Sequence, residues 1–140
     1  MVKEEAAIAF KFVKYRISDF IYHETKKEKS EYDISFFPKG EYDESSGLYI
    51  LNLAFRAHDK ENAEHLAIQV EGIAEYQFDK NYKLEEIPSH FFLSAVPIFF
   101  PYLRAFISTL TLQTNSTPII LGLMNFTKMA EPLKKNTVKK

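Results

Sequence analysis

The chain of 140 residues has no cysteine, no tryptophan and only four glycines. Without cysteine it has no disulfide, no thiol nucleophile and no thiolate metal site, a composition that suits a reducing compartment. Gly40, Gly47, Gly72 and Gly122 are too scattered to form a phosphate-cradling loop. An excess of either charge is missing too: 18 basic and 19 acidic residues leave a net charge of −1. No global field therefore draws the chain to nucleic acid or to an anionic membrane. The opening residues Met1-Val2-Lys3-Glu4-Glu5 carry acids with no long apolar run behind them. That is not a signal-peptide pattern, so a cytoplasmic location is expected and the sequons at Asn115 and Asn125 go unused. Internal repeats and low-complexity segments are also absent.

Aromatic residues are abundant. They make up 15% of the chain, as 13 Phe and 8 Tyr, and such side chains fill cores, interfaces and adaptable binding grooves. In the first half they fall into alternating patterns. After a lead-in over residues 1–9, Val13, Tyr15 and Ile17 share a face, with Lys14 and Arg16 opposite. The phase then slips so that Phe20 and Tyr22 are the next apolar pair, which predicts a bulge near Ser18-Asp19. A charged connection (Thr25–Glu31) follows. Tyr32, Ile34 and Phe36 alternate up to Pro38-Lys39-Gly40, and Asp43–Gly47 has turn chemistry. Tyr49, Leu51, Leu53 and Phe55 line the next strand. After a polar turn at Asp59–Glu64, residues Leu66, Ile68, Val70, Ala74, Tyr76 and Phe78 line another. The reading is four strands of an antiparallel sheet with one wet face.

The second half changes period. Phe92, Val96, Phe99, Leu103, Ile107 and Leu110 recur at helical spacing, with Phe91, Ile98, Tyr102 and Ala105 on the opposite side. Pro97 and Pro101 predict a break or kink near residues 93–97 and a straight helix from about Pro101, because an internal proline removes a hydrogen bond and costs about 3 kcal/mol. Pro118 stops the helix. Ile119–Leu123 reads as an apolar connector, Asn125–Leu133 as a short last helix with Phe126 and Met129 inward, and residues 134–140 as a basic, disordered tail. Strands followed by helices make an α+β fold, with the helices on one sheet face. Between Phe91 and Phe126 the only charge is Arg104. A helix apolar on all sides needs cover on more than one side, and a second copy of the chain is the economical cover. A membrane span is the competing reading, opposed by the two prolines and by Arg104 near the middle. The other is a well-covered monomer core.

Catalytic chemistry has no support in the sequence. His58 and His65 flank a turn and could face each other across a hairpin as a metal pair, but two surface histidines without close acids are usually just solvated, so no metal and no cofactor is expected. Ser89-His90 reads as a helix N-cap with its neighbour rather than part of a triad. The acids lie in turns or on the wet face. A binding function remains: extended apolar surface for non-native polypeptide, where Met and aromatic side chains repack around varied ligands. The candidates are Phe20, Tyr22, Phe37, Ile119, Leu121, Leu123, Met124, Phe126 and Met129, with Phe37 and Met124 favoured for a groove and Phe126 for core. A small-ligand-binding α+β domain is the alternative from another class.

The segment Pro97-Ile98-Phe99-Phe100-Pro101-Tyr102-Leu103-Arg104 resembles the proline-flanked LFPYxR segment of the SecB protein-export chaperones. Ile107-Ser108-Thr109 follows, and Pro118 opens an apolar connector ending in Asn125-Phe126, as in that family. The resemblance spans residues 10–133. It implies a cytosolic homotetramer, a dimer of dimers with helices sandwiched between sheets. Such an assembly holds unfolded polypeptide clients in apolar grooves and hands precursors to the SecA motor during translocation. Some relatives instead protect an antitoxin. On this reading Val13, Tyr15, Phe99, Tyr102, Leu103, Arg104, Phe106 and Leu110 belong to the subunit interface. Three departures stand out: a short, charged connection at His23–Glu31, a near-neutral charge with Gln69 where an acid is expected (Asp19 preserving another), and a basic tail. They point away from the SecA handoff more than from the fold.

Overall fold

The structure, a computed structural model, describes residues 8–24, 31–114, 118–122 and 124–140. Four long strands come first: β1 (Phe10–Tyr22), β2 (Tyr32–Asp43), β3 (Leu48–Asp59) and β4 (Leu66–Phe78). A 25-residue helix, α1 (Ser89–Gln113), follows. A 3-10 turn (Phe126–Met129) leads into α2 (Ala130–Lys135) and a last strand, β5 (Thr137–Lys139). The sheet order is β1-β4-β3-β2-β5. The four long strands pair antiparallel and β5 runs parallel to β2. The α+β class and the order of four strands, long helix and short helix are as read from the sequence.

The inner sheet face carries the predicted alternation. Tyr49, Leu51, Leu53 and Phe55 of β3 are fully buried beside Ile68, Val70, Ala74 and Tyr76 of β4. Against them α1 presents Phe91, Phe92, Val96, Phe99, Leu103 and Ile107, all buried. Gly72 makes this approach possible: a Cβ there would stand 2.5 Å from Cζ of Phe99, closer than carbon atoms tolerate. Turn chemistry sets the β2–β3 hairpin, where the Asp43 side chain accepts from the Ser45 amide at 2.9 Å and Gly47 takes φ +72°.

Strand β1 stays in phase through two irregularities. The register shifts between Ile17 and Asp19, at the bulge expected there, and also between Phe12 and Lys14. Each extra residue restores the apolar side chains to the inner face, so Phe10, Phe12, Tyr15, Ile17, Phe20 and Tyr22 sit opposite Phe78, Tyr76, Ala74, Gly72, Val70 and Ile68. Val13 is the inserted residue, so it does not share a face with Tyr15 and Ile17 as the plain alternation suggested.

Several further expectations are corrected. Helix α1 runs through Pro97 and Pro101 without the break expected near residues 93–97. Leu93, Pro97 and Pro101 are exposed, so the carbonyls of Leu93 and Pro97, which lose their amide partners, lie on the solvent side where water satisfies them. Phe91 belongs to the buried side. Pro88, extended at φ −77° and ψ 158°, is the N-cap rather than Ser89. The basic tail is ordered from Thr137 to Lys139 as β5. Its anchors are the Thr137 hydroxyl, 2.7 Å from that of Tyr49, an ion pair from Lys139 to Glu44 at 3.4 Å, and backbone bonds from the Gly40 amide to the Asn136 carbonyl and from the Lys140 amide to the Tyr42 carbonyl.

Helix α1 is long and apolar enough to cross a membrane, as core helices of this length also are. Here it packs lengthwise on the sheet as part of the core.

Candidate functional site

The inner face ends differently at its two flanks. At the β1 flank the aromatic rings are paired but uncovered. Tyr15 stacks on Tyr102 with centroids 4.6 Å apart, Phe12 stacks on Tyr102 at 5.5 Å, and Phe20 meets Phe106 edge-on at 5.5 Å. Exposure nevertheless reaches 43% at Tyr15, 51% at Phe20 and 42% at Tyr102. The strip continues onto the outer side of α1, where Leu93, Ile98 and Leu112 are exposed beside Pro97, Pro101 and Ala105. Arg104 is the only charge on that helix, and among the described residues no acid pairs with it. Contiguous exposed apolar surface is the kind that binding sites use, which makes this strip the candidate site.

At the β2 flank the same face is closed. Phe36 packs on Phe55, Phe100 and Phe126 with centroids 5.4–6.1 Å apart, and Phe126 lies 4.5 Å from Phe100. Hydroxyls on α1 hold the connector in place. Ser108 donates to the Ile119 carbonyl at 2.9 Å, and the Ile119 amide donates to Thr111 Oγ1 at 2.9 Å. Leu121, Phe126 and Leu133 are buried. Buried phenols brace the floor: the Tyr76 hydroxyl donates to the Ala95 carbonyl, and burial pushes the Tyr49 and Tyr76 phenols well above their ordinary range.

The predicted groove residues therefore do not converge. Phe20 and Tyr22 stand at the β1 flank. Phe37 projects from the outer sheet face, with the Arg56 guanidinium 4.7 Å from its ring centroid. Leu121 and Phe126 belong to the core and are removed as client contacts. Met124 is exposed, Ile119 and Met129 are half-buried, and Leu123 lies outside the described residues. Of the predicted interface set, Phe99 and Leu103 are fully buried within their own chain and have no surface left to offer. Val13, Tyr15, Tyr102 and Arg104 are exposed, and Phe106 and Leu110 half-buried. The sequence reading missed Leu93 and Leu112. Helical spacing from Pro97, Pro101 and Ala105 would have placed them on the outer side.

His65 does not face His58 in a pair; its ring neighbours His23 at 6.3 Å. Among the described residues no group of three or more His, Cys, Asp or Glu side chains would hold a metal ion.

Among solved structures, the SecB-like chaperone of Mycobacterium tuberculosis, in complex with a ChAD peptide from the HigA1 antitoxin, superposes with a TM-score of 0.68. The match covers 82% of this chain and 87% of that one at 16% identity. The chain has a SecB-like fold. A protein of unknown function from Streptococcus agalactiae superposes more loosely, with a TM-score of 0.46 at 8% identity over 84% of this chain and 100% of that one. No protein-family model matches the chain, and no curated protein does.

Proposed function

We propose that this chain is a non-enzymatic, cytoplasmic chaperone that self-assembles and holds non-native polypeptide, and that its client is a dedicated partner of the antitoxin kind. The observation carrying this reading is the uncovered aromatic strip of Tyr15, Phe20 and Tyr102, continuous with the exposed outer side of α1, on a SecB-like fold. A monomer has no use for such a surface, whereas copies of the chain stacked helix to helix bury it. Val13, Tyr15, Tyr102, Arg104, Phe106 and Leu110 are the proposed contacts, in a dimer of dimers. A dedicated client is favoured over general export because the similar chaperone is seen with an antitoxin peptide. The mixed-charge outer sheet face agrees, with Lys14 paired to Glu75 at 3.5 Å and Gln69 neutral. A small-ligand domain is disfavoured by the filled core between α1 and the sheet.

The test mixes the purified chain with an unfolding client at stoichiometric ratio and follows turbidity, alongside light scattering of the chain alone. Suppression by an oligomer is expected. A folded oligomer without suppression, or a monomer at micromolar concentration, overturns the reading. Co-purification of one small protein from the native host separates the dedicated client from a general one.

A further inference from the structure

Two histidines that neither the core nor the aromatic strip uses meet where β1 finishes and β4 begins. His23 directly follows β1 and His65 directly precedes β4. Their rings stand 6.3 Å apart, centroid to centroid, at 48°. Both are held by their backbones. The His23 amide donates to the Ala67 carbonyl at 2.7 Å. The His65 amide donates to the Asn62 carbonyl at 2.9 Å, and its carbonyl accepts from the Asp59 amide at 3.0 Å. The His23 ring is fixed as well. Its Nδ1 lies 2.9 Å from the Leu66 carbonyl, which can only accept, so the proton sits on Nδ1 and the lone pair on Nε2. A ring whose other nitrogen donates to a backbone carbonyl is the usual form of a histidine metal ligand. Across from it, His65 Nε2 is buried and has no hydrogen-bond partner among the described residues, and a buried nitrogen of that kind calls for one.

We propose that His23 and His65 together bind one divalent late transition-metal ion of the zinc kind through their Nε2 atoms. Imidazole nitrogen suits such ions. With metal–nitrogen bonds of about 2.0–2.1 Å, two rings sharing an ion have centroids about 5.2 Å apart at the tetrahedral angle and about 6.4 Å apart when opposed. The observed 6.3 Å lies at the wide end of that range, so binding asks for a change of ring angle more than of backbone. No third His, Asp or Glu completes the set among the described residues, so water fills the remaining positions and the ion exchanges readily. Glu24 and Glu64, the sequence neighbours of the two ligands, are exposed, and their charge favours a cation. Strand β1 is the outermost strand, is bulged twice and carries Tyr15 and Phe20 of the open strip. An ion held between His23 and His65 clips the end of that strand to the turn between β3 and β4. The site goes beyond the chaperone reading and does not depend on it.

The test titrates Zn²⁺ into the full, untagged chain at neutral pH and follows the heat. Saturable binding of one ion per chain is expected, and on the parent chain it should slow hydrogen exchange at the His23 amide. His23→Gln and His65→Gln should each weaken binding at least about tenfold, since losing a ligand costs at least what losing its supporting partner does. The double variant should lose little more than either single one. His58→Gln and His90→Gln, at the other two histidines, should bind as the parent chain does. Circular dichroism of each variant separates loss of the site from loss of the fold, and the His23 amide of the parent chain gives a reading that needs no variant. No saturable heat, the result expected if the two rings merely hydrogen-bond to each other, overturns the site. Binding that survives the loss of either ring, or that leaves the His23 amide unchanged, places an adventitious ion only, elsewhere on the chain, and overturns it too.

Discussion

The two flanks of one sheet face receive opposite treatment. Both are lined with rings of similar size, Tyr15 and Phe20 on one side and Phe36 on the other. At the β2 flank the chain returns through its connector, α2 and β5 to bury them. At the β1 flank nothing in the described chain does so. The cost of leaving aromatic surface in water, about 25 cal/mol per Å², is therefore met within the chain on one side and left unmet by the described chain on the other. The flanks also differ in the edge itself: β1 is bulged twice, whereas β2 pairs with β3 without a shift. Bulges twist an edge away from simple strand pairing. The β1 flank is accordingly suited to side-chain packing between faces, and the β2 edge to the backbone pairing that β5 makes.

The largest expected effect falls on the closed flank. Phe126→Ala empties a site touching Phe36 and Phe100 and should cost about 3–5 kcal/mol of folding stability, read by urea denaturation. A loss below about 1 kcal/mol would mean that the β2 flank is no better closed than the β1 flank. Tyr102→Asp is the counterpart on the open flank. It should change the stability of the single chain by less than about 1 kcal/mol and yet weaken self-association by at least about 2 kcal/mol, as a central aromatic contact does. Light scattering across a dilution series separates the two effects. An unchanged oligomer would show that the strip is not the interface.

The contrast between the flanks was only half legible in the sequence. Alternation in β3 and β4 and the helical spacing from Phe92 to Ile107 are strong periodic signals, and they placed the core and the α+β order. The Phe12/Lys14 bulge escaped because the inserted residue, Val13, is itself apolar, so the alternation reads as unbroken. The slip at Ser18-Asp19 was visible because the inserted residue, Ser18, is polar. Phe99 and Leu103 look no different from Tyr102 in the motif that carries them. Gly72, from a distant strand, makes the space that draws Phe99 fully inside. The short β5 gives no periodic signal, since its order comes from the edge of β2. The candidate site suffered most: neighbours in sequence such as Phe36 and Phe37 take opposite faces, and a list of apolar residues does not say which flank each serves.

Intermediate effects are expected at the seam that closes the β2 flank. Thr137→Val leaves the buried Tyr49 hydroxyl without the partner it has at 2.7 Å, which should cost about 1–3 kcal/mol. Amide exchange should rise at Val138 and Lys140 and stay unchanged along β1. Equal loosening at both flanks would show that β5 stabilises the whole sheet rather than this flank.

The smallest effect is a response to acid confined to the same seam. The Glu44 carboxyl is held below its ordinary value of 4.5, first by the Leu84 amide that donates to it and then by Lys139. A carboxylate whose folded pKa is depressed adds stability above its unfolded value and loses it as pH falls through the folded value. The contribution is thus intact at neutral pH and fades below about pH 4.5, and exposure to solvent keeps it small. Exchange at Val138 and Lys140 should accelerate, relative to β1 amides, as pH falls below about 4.5. Glu44→Gln removes the titrating group and should flatten that difference. If the variant keeps the same acid response, another group fastens β5, and the closed flank owes nothing to this ion pair.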